Sequence, residues 1–470
     1  MTDQNTILPQ NQNAKWPDPP WSTPPYVVQT YQPLVIPQSL QGNSLFQSIP
    51  SWVFQDSNGN PATIDIDFAN NRAFLYAGSS QGLLVQPSVL LSTTRASAET
   101  YTDTSGNITY VNSNIAALGN NGLQVWEART NMQLDSQFQT AWSVFNAVQT
   151  SNAALAPDGT TTAASLADNT NNTVHNIFKA ASANPNVTQT GSIYLKQGTL
   201  RYAQVELSDT TNGATVNVDL GAGAISGGTA IGSGVTYVSS DIVAVANGWY
   251  RVDLTATSSG GVALAYLIVR TASALGTVTY AGTGQNIYVW GAQNEQASFV
   301  SPLIPTTSGT AARSADAINL TTPPVFGAGA SLVIWGMPSA PNGYNTNQVG
   351  IVADDGTTNN VLELFRRNTT FDGRFNYTES STNSQTAATT TWAQGAIGKL
   401  AASGLSGAQI VVFNGGNTAT NTQSGTPVGL VNVHIGALVD PTQFFDGTIS
   451  RIAIWPTLAL SSADLQRITT

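Results

Sequence analysis

The sequence predicts an all-β protein with two antiparallel β-sandwich domains of the jelly-roll type, preceded by an extended Pro-rich arm and a small β region. Short runs of alternating apolar and polar residues recur along the 470 residues, and Gly- and Asn-rich turns separate them. No amphipathic helical pattern lies between these runs. Charged residues make up only 9% of the chain, against about 25% in a typical globular protein, so Ser, Thr, Asn and Gln must supply the polar surface.

Residues 1–50 form the arm. Prolines recur every few residues in "WPDPPWSTPPYVVQTYQPLVIPQ", which blocks helices and central strands and favours an extended backbone. A free linker gains nothing from aromatic side chains, whereas an arm that lies on a partner does. We therefore expect an intermolecular anchor, with an arm that wraps its own domain as the alternative. The candidate anchor residues are Trp16, Trp21, Tyr26 and Tyr31.

Residues 51–125 are expected to form a small β region that ends in a hairpin, with "TSGN" as the turn of "ETYTDTSGNITYV". The first large sandwich, a jelly roll, is predicted over 126–305, with strands such as "YAQVELSD", "GWYRVDLTATS" and "QNIYVWGAQ". Its regular short strands and Gly/Asn turns support that prediction.

A linker rich in Thr, Ser, Ala and Gly is predicted at 306–317, and a second sandwich at 318–470. One short helical turn, "LSSADLQRI", follows Trp455. Ser461 is the predicted N-cap, and Asp464 three residues later suits the positive end of the helix.

Charge and composition exclude several classes of function. The net charge is −10 and the pI about 4.5, so the chain lacks the clustered Lys and Arg that phosphate contacts need, and no nucleic-acid partner is expected. No apolar run approaches 18 residues, and the N-terminus does not look like a secretion signal. Cysteine is absent, which excludes disulfides and thiolate metal sites. A protein of extracellular composition that has no secretion signal could leave its cell when the cell lyses, as virus particles do.

Catalytic motifs are scarce. His175 and His434 are the two histidines, which cannot support a Ser-His-Asp triad from sequence, and His434 on an alternating strand is expected to be structural. Paired carboxylates are the remaining enzymatic route, with weak candidates in Asp65/Asp67, Asp354/Asp355 and Glu206/Asp219. We therefore predict no enzyme, no catalytic residue and no cofactor.

Two Asp-Gly loops have the oxygen-rich composition of calcium loops. They are "APDGTT" at Ala156–Thr161 and "ADDGTT" at Ala353–Thr358. Asp-Gly is also a plain turn signal, and that interpretation is favoured. No metal ligand is predicted.

Aromatic residues are the more informative feature, because sugar-binding sites combine exposed aromatic rings with nearby amides and carboxylates. In an alternating strand, one of two successive aromatic residues faces inward and the other outward. For each of these aromatic residues, the alternative to a ligand contact is a position in a hydrophobic core. The glycan-binding candidates are Trp142, Trp249, Tyr250, Tyr288, Trp290 and Trp392.

The stretch "NIYVWGAQNEQASFVSPLIPT" at Asn286–Thr306 closes the first sandwich. Ile287 and Val289 alternate with Tyr288 and Trp290, so one row faces the core and the other does not. Its prolines stop further pairing. The stretch therefore reads as the final strand plus the hinge to the second sandwich, with Trp290 a secondary ligand candidate.

Several motifs resemble a recurrent module of tailed-phage and prophage structural proteins. They are "TTRASAETYTDTSGNITYV" (Thr93–Val111), "NGLQVWEARTNMQLDSQFQTAW" (Asn121–Trp142), "VWGAQNE" (Val289–Glu295), "PLIPT" (Pro302–Thr306) and "ARSAD" (Ala312–Asp316). In that family these elements frame a carbohydrate-binding-like jelly roll. The tyrosine usual in the "SYIPT" element is replaced here by Pro302-Leu303.

The C-terminal "FDGTISRIAIWPTLALSSADLQRI" (Phe445–Ile468) resembles the end of a concanavalin A-like or laminin G-like sandwich. Together the resemblances imply a virion structural protein, a fibre, spike or decoration of head or tail. The arm would bind capsid or tail proteins, and lectin-like domains would face host surface glycans. They also imply a homo-oligomer, with a trimer favoured, on the surface of a particle assembled in the host cytoplasm. A free glycan-binding module and a polysaccharide depolymerase remain as alternatives.

Overall fold

The computed structural model describes residues 46–78, 81–438 and 442–470. Four anchor candidates lie outside the described residues, so their role stays a prediction: Trp16, Trp21, Tyr26 and Tyr31.

The region before residue 126 consists of short strands. They are β1 Phe46–Ser48, β2 Ile64–Asp67, β3 Arg72–Gly78, β4 Gln81–Val85, β5 Leu91–Thr94, β6 Glu99–Thr102, β7 Ile108–Val111, β8 Leu118–Gly119 and β9 Gly122–Val125. The antiparallel pairing of β6 with β7 confirms the predicted hairpin. Its turn is closed by Asp103, whose Oδ1 accepts hydrogen bonds from the backbone N–H groups of Ser105 and Asn107, both at 2.8 Å.

The central region carries the strands of the first sandwich. They are β10 Arg129–Asn131, β11 Ser143–Phe145, β12 Ala147–Ala154, β13 Ala163–Asp168, β14 Asn172–Val174, β15 Asn176–Ala180, β16 Thr188–Gln197, β17 Tyr202–Ser208, β18 Gly213–Asp219, β19 Ala224–Ile231, β20 Val235–Val245, β21 Trp249–Ser258, β22 Tyr266–Ala272, β23 Thr279–Ala281 and β24 Asn286–Glu295. Two six-stranded antiparallel sheets result. The front sheet has the order β11-β15-β22-β17-β18-β19, and the back sheet has the order β12-β13-β24-β16-β21-β20.

The C-terminal region supplies the remaining elements. They are β25 Ala311–Arg313, β26 Ala317–Leu320, β27 Gly329–Pro338, β28 Gln348–Asp354, β29 Val361–Arg366, β30 Asp372–Glu379, β31 Thr382–Thr391, β32 Gly398–Leu405, β33 Ala408–Phe413, β34 Ala419–Asn421, β35 Asn432–Ile435, β36 Gly447–Trp455 and α1 Ser462–Thr469. The predicted N-cap of α1 is confirmed, because Ser461 Oγ accepts a hydrogen bond from the backbone N–H of Asp464 at 3.2 Å. Within the described residues, α1 is too short and too polar to count as a membrane-crossing helix, and no other helix qualifies.

The C-terminal sandwich is assembled from both ends of the chain. Its larger sheet runs β1-β4-β3-β2-β36-β27-β32-β33-β34, with β9 and β8 added beside β36, and its smaller sheet runs β31-β30-β29-β28-β35-β26-β5. Ile64 of β2 pairs with Ile454 of β36, and Thr93 of β5 pairs with Ile318 of β26. Strands from 46–125 therefore extend both C-terminal sheets, and the first sandwich is inserted between them.

This pairing differs from the predicted domain order, in which residues 51–125 form a small β region separate from the C-terminal sandwich. Alternation within a strand specifies its two faces but not its partner, so pairing between strands nearly 400 residues apart is invisible in the pattern. The linker at 306–317 contains β25, which pairs with β10 just before the insertion, Arg129 lying opposite Arg313. The two segments that connect the sandwiches, one entering the inserted sandwich at β10 and one leaving it at β25, are thus hydrogen-bonded to each other.

The all-β prediction with antiparallel sandwiches is confirmed. The core of the inserted sandwich lies between its front and back sheets and is formed by the alternate residues of each strand. On β17, for example, Ala203, Val205 and Leu207 are buried in this core. The intervening residues of the front sheet consequently point away from the core.

Candidate functional site

Two of the six predicted ligand aromatics are parts of cores. Trp142 stacks on Phe138 with ring centroids 4.1 Å apart, and its Nε1 donates to the backbone oxygen of Asp135. Trp392 packs between Phe413 and Phe445 in the C-terminal sandwich. Both indoles are buried, so neither presents a ring face to a ligand.

Trp249 and Trp290 face outward from the back sheet, as alternation predicts for Trp290, but other segments cover them. Both are 0% exposed. Trp290 Nε1 donates to Thr162 Oγ1 at 3.0 Å, and Trp249 Nε1 donates to the backbone oxygen of Leu155 at 3.0 Å. These indoles therefore belong to a secondary core rather than to a binding surface.

The cover of the back sheet comes from the hairpin β6–β7, from the loop after β12 and from the Pro-rich exit. Ile108 and Leu303 pack in one cluster with Tyr194 and both tryptophans. Thr100 Oγ1 donates to the backbone oxygen of Leu303 at 2.8 Å, which ties the hairpin to the exit. The Pro302-Leu303 pair thus serves as a packing element here.

The two candidate tyrosines are only half-buried. Tyr288 lies at the margin of the covered cluster on the back sheet. Tyr250 packs against the sandwich core and beside Gly223, where a Cβ would come within 2.5 Å of the tyrosine ring. The six candidates are consequently spread over different layers, and the structure does not bring them together.

The candidate carboxylates are held in separate ion pairs or hydrogen-bond sets. Asp65 binds Arg451 through both oxygens, at 2.8 and 2.6 Å. Burial raises the pKa of Asp65 while that arginine lowers it. Asp67 pairs with Arg72 at 2.7 Å. Each of these carboxylates therefore has an arginine of its own.

The two histidines have structural contacts. His434 Nε2 lies 2.9 Å from Asp354 Oδ2, and His175 is fully buried with Nδ1 2.6 Å from the backbone oxygen of Asn146 and Nε2 3.0 Å from that of Tyr280. The structural interpretation of His434 agrees with its place beside Asp354 in the sheet.

The Asp-Gly loops are turns closed by their own side chains. Asp158 Oδ1 accepts from the backbone N–H and the hydroxyl of Thr160 at 3.0 and 2.6 Å, and Asp355 does the same with Thr357 at 2.9 and 2.6 Å. Among the described residues, no cluster of three or more His, Asp or Glu side chains is arranged to hold a metal ion.

The outward side of the front sheet, called here the front face, has a different composition. Its central row crosses the strands in register and contains Phe145, Asn176, Arg270, Gln204, Asn217 and Ser226. The next row contains Ser143, Phe178, Ile268, Glu206, Thr215 and Thr229. Polar side chains thus occupy the middle of the sheet, and phenylalanines stand at one end.

A chain of hydrogen bonds joins the polar groups of the front face. Glu206 forms an ion pair with Arg270, whose Nη1 also donates to Gln204 Oε1 at 2.9 Å. Gln204 Nε2 in turn donates to Asn217 Oδ1 at 2.9 Å. These bonds fix the side chains in place, which lowers the entropy that a ligand would have to remove.

Aromatic rings and one turn border this polar strip. Phe145 is 50% exposed, and Phe178 lies edge to face with Tyr266 at 5.9 Å. At the other end, the turn around Gly276 approaches Asn217 so closely that a Cβ there would lie 3.4 Å from Asn217 Nδ2. The front face is therefore a polar strip with hydrophobic rings at one end and a turn at the other.

A charged pair marks the edge of the front face. Arg201 binds Asp219 through two nitrogens, at 2.6 and 2.7 Å, and its guanidinium lies 5.3 Å from the ring centroid of Tyr202. The hydrogen bonds from Arg201 lower the pKa of Asp219 to about 2, so this carboxylate stays ionised and paired.

Most residues of this strip were not among the sites predicted from the sequence. The alternation in "YAQVELSD" did separate the buried residues of β17 from the outward Gln204 and Glu206. It carried no sign of which outward face another segment would cover. The large aromatic residues predicted as ligand contacts therefore include Trp249 and Trp290, which pack on the covered back sheet.

No family model and no curated protein matches this chain. Solved structures with partial likeness include domain 4 of AbnA, a GH43 extracellular arabinanase from Geobacillus stearothermophilus, in complex with arabinotriose. That alignment has a TM-score of 0.29 and 19% identity, and covers 34% of this chain and 77% of the other.

Two further likenesses involve sialidases. The CBM40 of the Ruminococcus gnavus IT-sialidase, bound to α2,3-sialyllactose, aligns with a TM-score of 0.26 and 16% identity over 31% of this chain and 84% of that one. The NanB sialidase of Streptococcus pneumoniae aligns with a TM-score of 0.27 and 16% identity over 31% of this chain but only 24% of the sialidase. Carbohydrate-binding β-sandwich domains are thus among the solved structures that resemble part of this chain.

Proposed function

We propose that this protein is a non-enzymatic adhesin that binds surface glycans on its front face. The observation that carries the proposal is the partly exposed polar strip on the front sheet, where Gln204 donates a hydrogen bond to Asn217 and Phe145 is exposed at the end. Amides match sugar hydroxyls as donors and acceptors, and an exposed ring offers an apolar surface to the C–H face of a sugar.

A binding role rather than hydrolysis is supported by the state of the carboxylates. Glycoside hydrolysis needs one carboxyl group to donate a proton and a second, ionised one as base or nucleophile. Glu206 is instead paired with Arg270, and Asp219 is paired with Arg201 with a pKa of about 2. Neither is suited to act as the general acid.

Substitution of the two central amides tests this proposal. Full-length protein with Gln204→Ala and Asn217→Ala should lose about tenfold or more in glycan affinity, since each net hydrogen bond contributes about 0.5–1.5 kcal/mol. Binding to a broad glycan array, followed by titration of the strongest hit, measures the loss. Thr389→Ala, at an exposed position of β31, is the matched control and should bind normally. Unchanged affinity of the double variant would exclude the front face as the site.

The finer proposal is that the adhesin is a virion structural protein, a fibre, spike or decoration on a phage head or tail. Its support is the sequence resemblance of Thr93–Val111 and Asn121–Trp142 to phage structural modules, together with the Pro-rich, aromatic arm at 1–50. In this proposal the arm binds capsid or tail proteins. The protein would form a homo-oligomer, with a trimer favoured, and it would be displayed on the particle surface.

Deletion of residues 1–45 tests the anchoring proposal. The truncated chain should keep the far-ultraviolet β signature and thermal unfolding of the full-length protein, yet be missing from purified particles. Immunogold labelling of particles that carry either form measures incorporation and shows whether the protein sits on head or tail. Normal incorporation of the truncated chain would refute the arm as anchor.

A further inference from the structure

Each arginine of the front face forms an ion pair with a carboxylate, and this pairing indicates which charge a ligand can carry. The guanidinium at the centre of the strip, Arg270, is neutralised by Glu206 and also donates to Gln204. A cation that already has a carboxylate partner offers little to a second one, because binding a new anion would displace or crowd the first.

The edge of the front face repeats the arrangement. Arg201 donates two hydrogen bonds to Asp219, at 2.6 and 2.7 Å. The other members of the central row are uncharged: the amides Asn176, Gln204 and Asn217, together with Phe145 and Ser226. Since the whole chain carries a net charge of −10, the long-range field also disfavours polyanions.

One acceptor in the central row has no partner. Asn176 is 9% exposed, and its Oδ1 accepts no hydrogen bond within the described residues. It lies opposite Phe145 on one side and Arg270 on the other. A buried acceptor left without a donor costs about 1–3 kcal/mol, so such a group calls for an explanation.

A sugar hydroxyl would supply the missing donor. The terminal torsion of asparagine has a broad profile, so a modest rotation can turn Oδ1 toward a ligand above Phe145. A hydroxyl donates to that oxygen, whereas an ionised carboxylate or sulfate only accepts and would leave it unpaired.

The length of the strip indicates how much ligand it holds. Phe145 and Asn217 stand on strands separated by four strand spacings, which amounts to about 19 Å at ~4.8 Å per spacing. This length suits several consecutive sugar units better than a single terminal residue.

We propose that the front face selects an uncharged oligosaccharide segment that lies across the strands and donates a hydroxyl to Asn176. This inference rests on the proposed glycan-binding function and adds the class of glycan and the residue that recognises it. Acidic polysaccharides are excluded because the front-face arginines Arg201 and Arg270 are paired.

The test uses the full-length protein and two sets of probes at 150 mM NaCl. The uncharged set is dextran, mannan and galactan with a broad array of neutral oligosaccharides, and the acidic set is polygalacturonate and polysialic acid. Binding to a neutral glycan that is insensitive to salt, and at least tenfold weaker binding to every acidic probe, is the expected result. Salt-sensitive binding to acidic probes alone would overturn the ligand class while leaving glycan binding intact. Binding to no glycan of either set would overturn the proposed function and this inference with it.

Two variants locate the selectivity. Asn176→Ala should weaken neutral-glycan binding at least threefold while leaving the melting temperature unchanged or raised, because it removes an unpaired buried acceptor. A fall in melting temperature without loss of binding would assign Asn176 a purely structural role. Glu206→Gln frees Arg270 and should strengthen binding to polygalacturonate severalfold at 50 mM NaCl. An unchanged preference in that folded variant would overturn the role of the ion pair in selectivity.

Discussion

The two outer faces of the inserted sandwich differ in what lies on them. Trp290 and Trp249 on the back sheet are fully buried under Leu303 and the β6–β7 hairpin. The front sheet carries Gln204 and Asn217, which are hydrogen-bonded to each other and partly exposed. Large aromatic residues on these strands thus mark an intramolecular contact, and the amides Gln204 and Asn217 mark a more exposed surface.

The difference follows from the way the sandwich is inserted. Two segments connect the inserted sandwich to the C-terminal one, and they pair with each other through β10 and β25. The exit passes over the back sheet, where Arg251 Nη2 donates to the backbone oxygen of Ser301 at 2.7 Å. Because the chain returns on that side, the back face packs against the chain's own segments, whereas Gln204 and Asn217 on the front face stay partly exposed.

The largest effect is expected from truncation on the back face. Trp290→Ala should lower the free energy of unfolding by about 3–5 kcal/mol, because it leaves a cavity beneath Leu303 and removes the edge-to-face contact with Tyr194 at 5.3 Å. Chemical denaturation followed by intrinsic fluorescence and circular dichroism measures the change. A loss below about 1 kcal/mol would mean that the cover is not tightly packed.

The pH dependence of stability should be the next largest effect, and Glu99 on the covered side contributes to it. Burial, with the Asp316 carboxylate as a second cause, raises the pKa of Glu99 to about 8. Glu99 lies 3.5 Å from Arg95 and 3.9 Å from Arg313, where the hairpin meets the exit.

The sign of this dependence follows from proton binding. The folded chain keeps a proton on Glu99 that the unfolded chain releases above about pH 4.5, so the stabilisation is full at low pH and is lost as the pH rises toward 8. Unfolding free energy should fall by about 1–3 kcal/mol between pH 5 and pH 8.5. Glu99→Gln should remove only part of this fall, because burial also raises the pKa values of Asp253, Glu363 and Asp446 to about 7. A wild-type stability that rises over this range would contradict the assignment.

The front-face carboxylate Asp219 behaves in the opposite sense, because its pKa is lowered. Asp219, bonded to Arg201, has its pKa lowered to about 2, so its pairing is lost only in strong acid. Glycan binding should therefore stay constant over the range in which the covered junction titrates. Parallel measurements of affinity and unfolding from pH 5 to 8.5 would separate the two faces.

Much of the fold was predictable from local pattern, whereas the site was not. The alternation of Ile287 and Val289 with Tyr288 and Trp290 gave the two rows of β24 correctly, since strand geometry alone determines them. Whether a row meets solvent depends on segments far away in sequence, such as Leu303 over Trp290. Long-range pairing sets this cover, and local periodicity carries no information about it.

The smallest effect on stability, and the sharpest contrast with Trp290, is expected at the exposed end of the front face. Phe145→Ala should change the unfolding free energy by less than about 0.5 kcal/mol, because the ring is half exposed on an edge strand. Its affinity for a neutral oligosaccharide should nevertheless fall about fivefold, since the ring would lose about 1 kcal/mol of stacking. Titration calorimetry and thermal unfolding of the same sample measure both quantities, with Thr389→Ala as control. Equal losses in stability and binding would show that Phe145 acts as core, like Trp290, and the distinction between the two faces would then fail at this position.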